Sequence, residues 1–313
     1  MPTTSYLRLK PLPFSSLPPH PSLTQSAEWQ QNVNTFLTTI LTEAQTLIST
    51  TIPQNFKTDR KLRSSAPSSA KVQLSTSSGG GGGAGVEDYW VCRKSIHTDS
   101  SAQRGSASWA EFEKGLRENH SENEMDYTPS VASVEHLVKW PVVDELEGWR
   151  GIDMHVSMIT HTFKPAGLIS PRAFISLIIS AYEPESTTTN NDDPIQGFYT
   201  IQIPLLFQKD SSNNDVPDAI KQQVLSTVPK NTIFAHYVSV ERVRLLPPAT
   251  ADANAERRIE WIMATTSDAG GQIPQWVQRS WTMGGVPKAV VADVGLFLGW
   301  VDKKRSSSSS SSS

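Results

Sequence analysis

Seven histidines are the first residues in this 313-residue chain whose chemistry invites a test. His155 and His161 lie six apart in the run Asp153–Phe163, so an extended backbone turns both to one face. At about 3.3 Å per residue their Cα atoms stand roughly 20 Å apart, too far for two ligands that each reach one metal at about 2 Å. No His-x-x-x-His spacing and no cysteine cluster stands elsewhere, so neither a metal site nor a cofactor is expected. The single cysteine, Cys92, cannot close an internal disulfide. It sits in an apolar run without a local base, which suits a buried structural thiol better than a nucleophile. There is no Gly-x-Ser-x-Gly, and serine is concentrated in terminal and linking stretches. Glu241 and Glu260 fall on candidate strands as a possible carboxylate pair, with a separation the sequence does not set. These residues do not converge on a catalytic set, and no enzyme is expected. The run Gly79–Gly83 lacks the Lys-Ser/Thr of a phosphate loop and reads as a flexible tether.

Composition narrows the field further. A net charge of −3 and a pI near 6.2 give no basic footprint, which excludes nucleic acid as the expected partner. Hydrophobic residues at 37%, with nine Trp and ten Phe, are enough for a real core. The start Met1-Pro-Thr-Thr-Ser-Tyr has no signal-peptide pattern. The apolar stretch Ala289–Val301 is broken by Asp293 and falls short of the about 20 residues that span a bilayer. A soluble, cytoplasmic protein is the expectation.

The elements that would position these residues follow from patterning. Residues 1–25, rich in Pro and Ser, read as disordered. Residues 26–50 read as an amphipathic helix with Ser26 as N-cap and Pro53 as its stop. Residues 51–85 read as a flexible linker with a small basic cluster, Lys57, Arg60, Lys61 and Arg63. Residues 86–305 carry the folded domain, and the serine run 306–313 reads as a disordered tail. Within the domain, Asp88–His97, Asp153–Phe163, Ala173–Ala181, Phe198–Phe207, Ile233–Leu245 and Arg258–Thr265 have strand composition, and the links between them suit an antiparallel sheet. Ser108-x-x-Glu111 fits a capping box. The acidic stretch Glu118–Tyr127 reads as a solvated loop or short helix. Ile273–Trp281 and Pro287–Asp302 have helical spacing. Along Ile233–Leu245 both faces mix polar and apolar residues, as an amphipathic pocket or a satisfied core would.

Two segments carry a resemblance. Ile169-Ser170-Pro171-Arg172-Ala173-Phe174 resembles the Ser-Pro-Arg-Asp-Phe start of a strand in START domains, the steroidogenic-acute-regulatory-related lipid-transfer modules. About a hundred residues later, Asp268-Ala269-Gly270-Gly271-Gln272-Ile273-Pro274-Gln275-Trp276-Val277 is similar to their Asp-x-Gly-Gly-x-hydrophobic-Pro-x-Trp segment, which leads into the C-terminal helix. Ala173 departs from the usual Asp. The resemblance spans about Val86–Lys304 and is closest to START-like proteins of uncharacterised function in fungi.

What the resemblance implies is an α+β helix-grip fold, a curved antiparallel sheet around a long C-terminal helix, over a tunnel for one lipid, sterol or other apolar small molecule. Transient membrane contact would accompany such a role. Arg172, Pro274 and Trp276 are expected to be structural. The expected wall residues are Ile159, His161, Ile201, His236, Val238, Trp261 and Met263 from strands, with Val290, Val294 and Phe297 from the helix. Two other classes stay open: an enzyme in the same cavity using His161, His236 or Glu241, and an interaction scaffold built on helix 26–50.

Overall fold

The computed structural model describes residues 5–23, 32–77, 88–163, 169–188, 191–209, 215–246, 256–271, 273 and 275–310. Seven helices and fourteen strands occur among them. The chain opens with α1 (Val33–Thr46), a wider turn over Leu47–Thr51 and α2 (Ile52–Asn55). Short strands β1 (Lys57–Thr58) and β2 (Arg63–Ser64) precede β3 (Lys71–Thr76) and β4 (Val91–Thr98). Helices α3 (Trp109–Leu116) and α4 (His120–Tyr127) lead to β5 (Val131–Lys139), β6 (Val143–Leu146), β7 (Trp149–His161) and β8 (Arg172–Tyr182). The hairpin β9 (Ser186–Thr188) and β10 (Asn191–Ile195) comes before β11 (Gly197–Pro204), α5 (Asp218–Thr227), β12 (Ile233–Phe234), β13 (His236–Leu246) and β14 (Arg258–Asp268). The turn α6 (Gln275–Gln278) and the long α7 (Val286–Ser310) close the chain.

One sheet runs in the order β1-β3-β4-β14-β13-β11-β8-β7-β5, with β2 on β3, β6 on β7 and β12 on β8. Every pairing in it is antiparallel except β12 on β8. It curves around α7, giving the α+β helix-grip architecture that the sequence predicts.

Alternation along the strands creates two unlike faces. Cross-strand pairing aligns Cys92, Ala264, Val240, Ile201, Ile179 and Met154 in one row on the convex face. Shifting one residue on each strand gives the concave row Arg93, Met263, Glu241, Thr200, Ser180 and Asp153. The convex row joins Phe36, Leu37, Ile40, Leu41 and Ala44 of α1 in a single apolar cluster with Ile220 and Val224 of α5. Those α1 positions recur every three to four residues, so one helix stripe supplies the whole contact. Asn32 caps α1 by accepting from the N–H of Asn34 at 3.0 Å. The expected N-cap Ser26 and the first residues of that helix lie outside the described residues.

Several expectations for the termini are corrected. Residues 5–23 are tied down: Leu12, Phe14 and Leu17 are buried, and Glu43 of α1 accepts the N–H groups of Tyr6 and Leu7. Leu12 also exchanges backbone hydrogen bonds with Pro204 and Leu206 at 2.9 and 2.7 Å. The expected linker contains β3, which pairs with β4 from Val72↔Ser95 to Thr76↔Val91. In Lys71–Thr76 the alternating Val72 and Leu74 are buried, and two well-placed apolar side chains outweigh a Ser-rich setting. The folded unit therefore begins well before residue 86. The glycine run 79–83 lies outside the described residues. At the other end α7 continues into the serine run as far as Ser310, and the hydroxyl of Ser306 bonds back to the Asp302 carbonyl at 2.9 Å.

α7 is held from two sides. On its inner side Val290, Val294, Phe297 and Val301 join Phe112, Trp261, Phe198 and Val243 in a second apolar cluster. On its outer side the segment from Ser65 to Pro67 crosses it, and the Ser65 hydroxyl accepts the Gly295 N–H at 2.8 Å. A Cβ on Gly295 would run into the Ala66 carbonyl, so only glycine allows that close approach. The expected capping box is formed: the Ser108 N–H donates to Glu111 at 2.8 Å, and Glu111 also holds Arg305 of α7.

Candidate functional site

The concave face grades from apolar to polar along the strands. At one end Trp261, Val243 and Phe198 form a cross-strand row covered by α3 and α7. Phe112, Trp261 and Phe297 stack edge to face there, with ring centroids 5.2 to 5.6 Å apart. This part of the space under α7 is solid. The helix residues Val290, Val294 and Phe297 and the strand residue Trp261, expected as cavity wall, pack on one another here.

One row further, the character changes. Arg93 of β4 and Glu241 of β13 flank Met263 of β14 in register. The Arg93 side chain, 1% exposed, donates from Nη2 to Glu241 Oε1 at 3.1 Å. The same oxygen accepts from Trp261 Nε1 at 2.7 Å, and the guanidinium lies 3.9 Å over the Trp261 ring. Arg93 Nε and Nη1 have no hydrogen-bond partner among the described residues. His97, four residues along β4, bonds the Ser95 hydroxyl at 2.8 Å, and burial followed by the nearby Arg93 charge lowers its imidazole to about 3.

Three further groups close over this row from the helices. Burial pushes the Asp293 carboxyl of α7 up to about 7, with Arg93 opposing and Glu124 and Glu241 reinforcing the rise. Burial also raises Glu124 of α4, whose Oε2 has no hydrogen-bond partner among the described residues, with His120 Nε2 4.0 Å away. Tyr127 of α4 is held well above the usual phenol range by burial and these carboxylates. A polar chain continues across the sheet. The Tyr237 hydroxyl donates to Gln202, whose amide stands 3.4 Å from His120 Nε2. His120 Nδ1 in turn donates to the Leu116 carbonyl at 2.9 Å.

Tyr127, Tyr237, Glu124 and Asp293 are each partly exposed, Tyr127 onto the outer groove along α7. Met263, in mid-strand among buried neighbours, is partly exposed too. The arrangement can offer charge-assisted hydrogen bonds from Arg93 to an oxygen, and acceptors or acid protons from Glu124 and Asp293 to a hydroxyl or amine.

The remaining sequence expectations sort by face. Ile159 and His161 lie on the concave side of β7, at the opposite end of the sheet from Arg93. Phe174 separates His161 from Tyr237, its ring 5.4 Å from the imidazole and 5.1 Å from the phenol. His161 bonds the Ser130 hydroxyl at 3.0 Å, and burial lowers it to about 4. Ile201 and Val238 belong to the convex face and pack in the cluster under α1, and His236 shares their side of its strand by alternation. They are apolar-face residues because α1 covers that face, which a detached helix would not do. Of the enzyme candidates, His236 thus points away from Glu241. His161 lies three strands from Glu241 and eight residues beyond its register row, roughly 30 Å along the sheet.

The two segments carrying the resemblance meet in space. Arg172 Nε donates to the Ala269 carbonyl at 3.2 Å and Nη1 to the Ser170 carbonyl at 2.5 Å, an anchoring role. Gly270 and Gly271 take positive φ of 63° and 67° against Ile233, a conformation that favours glycine. Pro274 lies outside the described residues, as does the Trp276 side chain. Cys92 is buried on the convex side, where burial pushes its thiol up to about 12.

A family model described as a protein of unknown function, DUF3074, matches residues 90–301. The chain belongs to the DUF3074 family. The DUF3074 match begins at Trp90, just before Arg93, and ends at Val301 in α7, so it takes in the whole polar cluster and leaves out α1 and β1–β3. No curated protein matches the sequence significantly. Among solved structures, human StAR-related lipid transfer protein 5 is similar over 85% of this chain and 97% of its own, at 10% identity and a TM-score of 0.44.

Arg93, Glu124, Tyr127 and Asp293 were not among the expected site residues. Their signal is weak: Arg93 directly follows the apolar run Trp90-Val91-Cys92, and Asp293 is the sole charge in the apolar stretch Ala289–Val301.

Proposed function

We propose that this DUF3074 protein encloses one small amphipathic molecule, a lipid or sterol in class, between the concave sheet face and helices α4 and α7. In this reading the site binds and does not transform its ligand, and the protein works as a soluble carrier or sensor in the cytoplasm. The observation that carries the proposal is Arg93. A guanidinium held at the floor of the grip with two N–H groups unpaired bears a desolvation cost that a ligand oxygen would relieve. Partly accessible Met263, Tyr237 and Asp293 around it support room for such a group. The ligand's apolar body would gain about 25 cal/mol per Å² removed from water. The two motif segments support the same reading through their resemblance to START domains. The accessible side chains of the cluster are mostly polar, which suits the polar end of an amphipathic guest.

The test is to incubate the full chain with mixed liposomes, re-isolate it and identify extracted small molecules by mass spectrometry. One amphipathic molecule per chain is expected, and its loss in the double variant Arg93→Met with Glu241→Gln, which removes the ion pair without leaving a lone buried charge. A folded protein that carries nothing away from several membrane compositions would refute the proposal.

A further inference from the structure

A second surface lies outside the grip, on the hairpin whose continuation crosses α7. Between β1 and β2 the chain exposes Arg60, Lys61 and Leu62, with Leu62 54% exposed. Arg63 ties this hairpin to the loop before α7, its guanidinium 4.4 Å over the Trp281 ring. Two residues on, Met283 is 57% exposed, and Lys288 projects from the first turns of α7. Leu62 and Met283 are the two most exposed large apolar side chains among the described residues, and Arg63 and Trp281 bring their segments together. Around them Lys57, Arg60, Lys61, Arg63 and Lys288 face a single carboxylate, Asp59, which the Arg63 side chain at 2.6 Å and the Lys61 N–H already engage. A groove of about 1490 Å³ runs from Ser64, Trp281 and Lys288 along α7 to Ser307. Its far part carries both signs, Arg104 and Lys303 with Asp126 and Asp302, so the cationic character belongs to the end at Lys288.

We propose that this patch docks the protein on an anionic lipid surface, with Leu62, Trp281 and Met283 entering the headgroup layer and the cations meeting lipid phosphates and carboxylates. Charge complementarity selects the occupant. The whole chain carries −3, so an anionic surface attracts this face and repels the average of the others. Lysines flanking isolated apolar side chains suit a lipid interface, whereas the centre of a protein–protein contact is depleted of lysine. The proposal does not depend on what the interior of the grip holds.

The experiment is sedimentation of the full chain with vesicles of phosphatidylcholine alone or mixed with phosphatidylserine, at physiological and raised salt. Binding to the mixed vesicles, weakened by salt, is expected. The double variant Arg60→Glu with Lys61→Glu should lower it about tenfold or more. Leu62→Ser with Met283→Ser should also reduce it, with circular dichroism unchanged in both. Wild type remaining in the supernatant, or variants sedimenting like wild type, would overturn the proposal. So would retention on soluble polyglutamate without vesicle binding, which would mark an acidic protein partner. The surface variants keep the grip intact, so cargo recovered by mass spectrometry reports on the interior separately.

Discussion

On the convex face a row of six side chains, Cys92 to Met154, contains nothing more polar than a thiol or thioether, and α1 presses five apolar residues onto that side. One residue along each of the same strands, Arg93, Glu241, Thr200, Ser180 and Asp153 turn the other way, with only Met263 apolar among them. Identical backbone pairing therefore supports two unlike chemistries, divided by the pleat. The convex face stabilises: its central row packs under α1, and the charged residues further along it are paired, Arg242 with Glu260 at 2.6 Å and Lys94 with the same carboxylate. The polar part of the concave face sacrifices stability for unpaired donors and a carboxyl whose acid form survives near neutrality. A one-residue slip would exchange the two faces, so the dense convex core is also what holds the concave residues in register.

The sharpest way to break this contrast is to uncover the convex face. A chain beginning at Asp88 lacks α1 and β1–β3, and is expected to lose its cooperative unfolding transition in urea followed by circular dichroism. A cooperative transition in that chain would show that the N-terminal segment is dispensable cover. Next in size, Leu41→Ala should lower unfolding free energy by about 2–5 kcal/mol while leaving ligand recovery per folded molecule unchanged. A parallel loss of ligand at equal folding would mean that the faces are not separable.

On the concave side, Asp293→Asn tests the cost of the buried acid. The folded-state value, about 7, lies above the ordinary aspartate value of 3.8. The group's stabilising contribution is thus full below about pH 4 and is lost as pH rises through about 7. The urea midpoint of D293N relative to wild type should rise across that window, by on the order of 3 kcal/mol in free energy. A difference that stays flat with pH would place Asp293 in water. The smallest stability effect is expected from Met263→Trp, about 1–2 kcal/mol from overpacking, alongside a larger proportional fall in ligand loading. Loading equal to wild type would remove Met263 from the wall.

How legible this was in the sequence depended on the scale of the signal. Strands β7, β8, β11, β13 and β14 announce themselves by long Ile/Val/Phe runs, and Ser108-x-x-Glu111 marks the start of α3. The link between the Ser170–Arg172 and Asp268–Gly271 segments was visible as a resemblance before it was visible as a hydrogen bond. β3 was hidden because its two apolar residues sit among serines. Beyond Met263 and Glu241 the cluster is hidden, because the apolar residues of β11 and β13 face α1 and apolar composition does not mark the wall. The better signal was polar residues at alternate positions of otherwise apolar strands: Ser176 and Ser180, Thr200 and Gln202, Ser239 and Glu241. Glu124 and Tyr127 came from a stretch whose acidity suggested solvent, yet Ser121 in the same helix is buried.

The Ser65–Gly295 contact also constrains how a guest could come and go. It fastens the midpoint of the last helix to a neighbouring edge of the sheet, 230 residues away in sequence. The far half is bolted by Arg305 to Glu111 and by Asp302 to the Gly105 N–H. Lifting the whole helix would unzip both fastenings, whereas its leading turns, Val286 to Val291, lie ahead of the Ser65 contacts with Ala292 and Gly295. Exchange by the cheapest hinge would therefore open at that leading end, beside the loop that bears Trp281 and Met283.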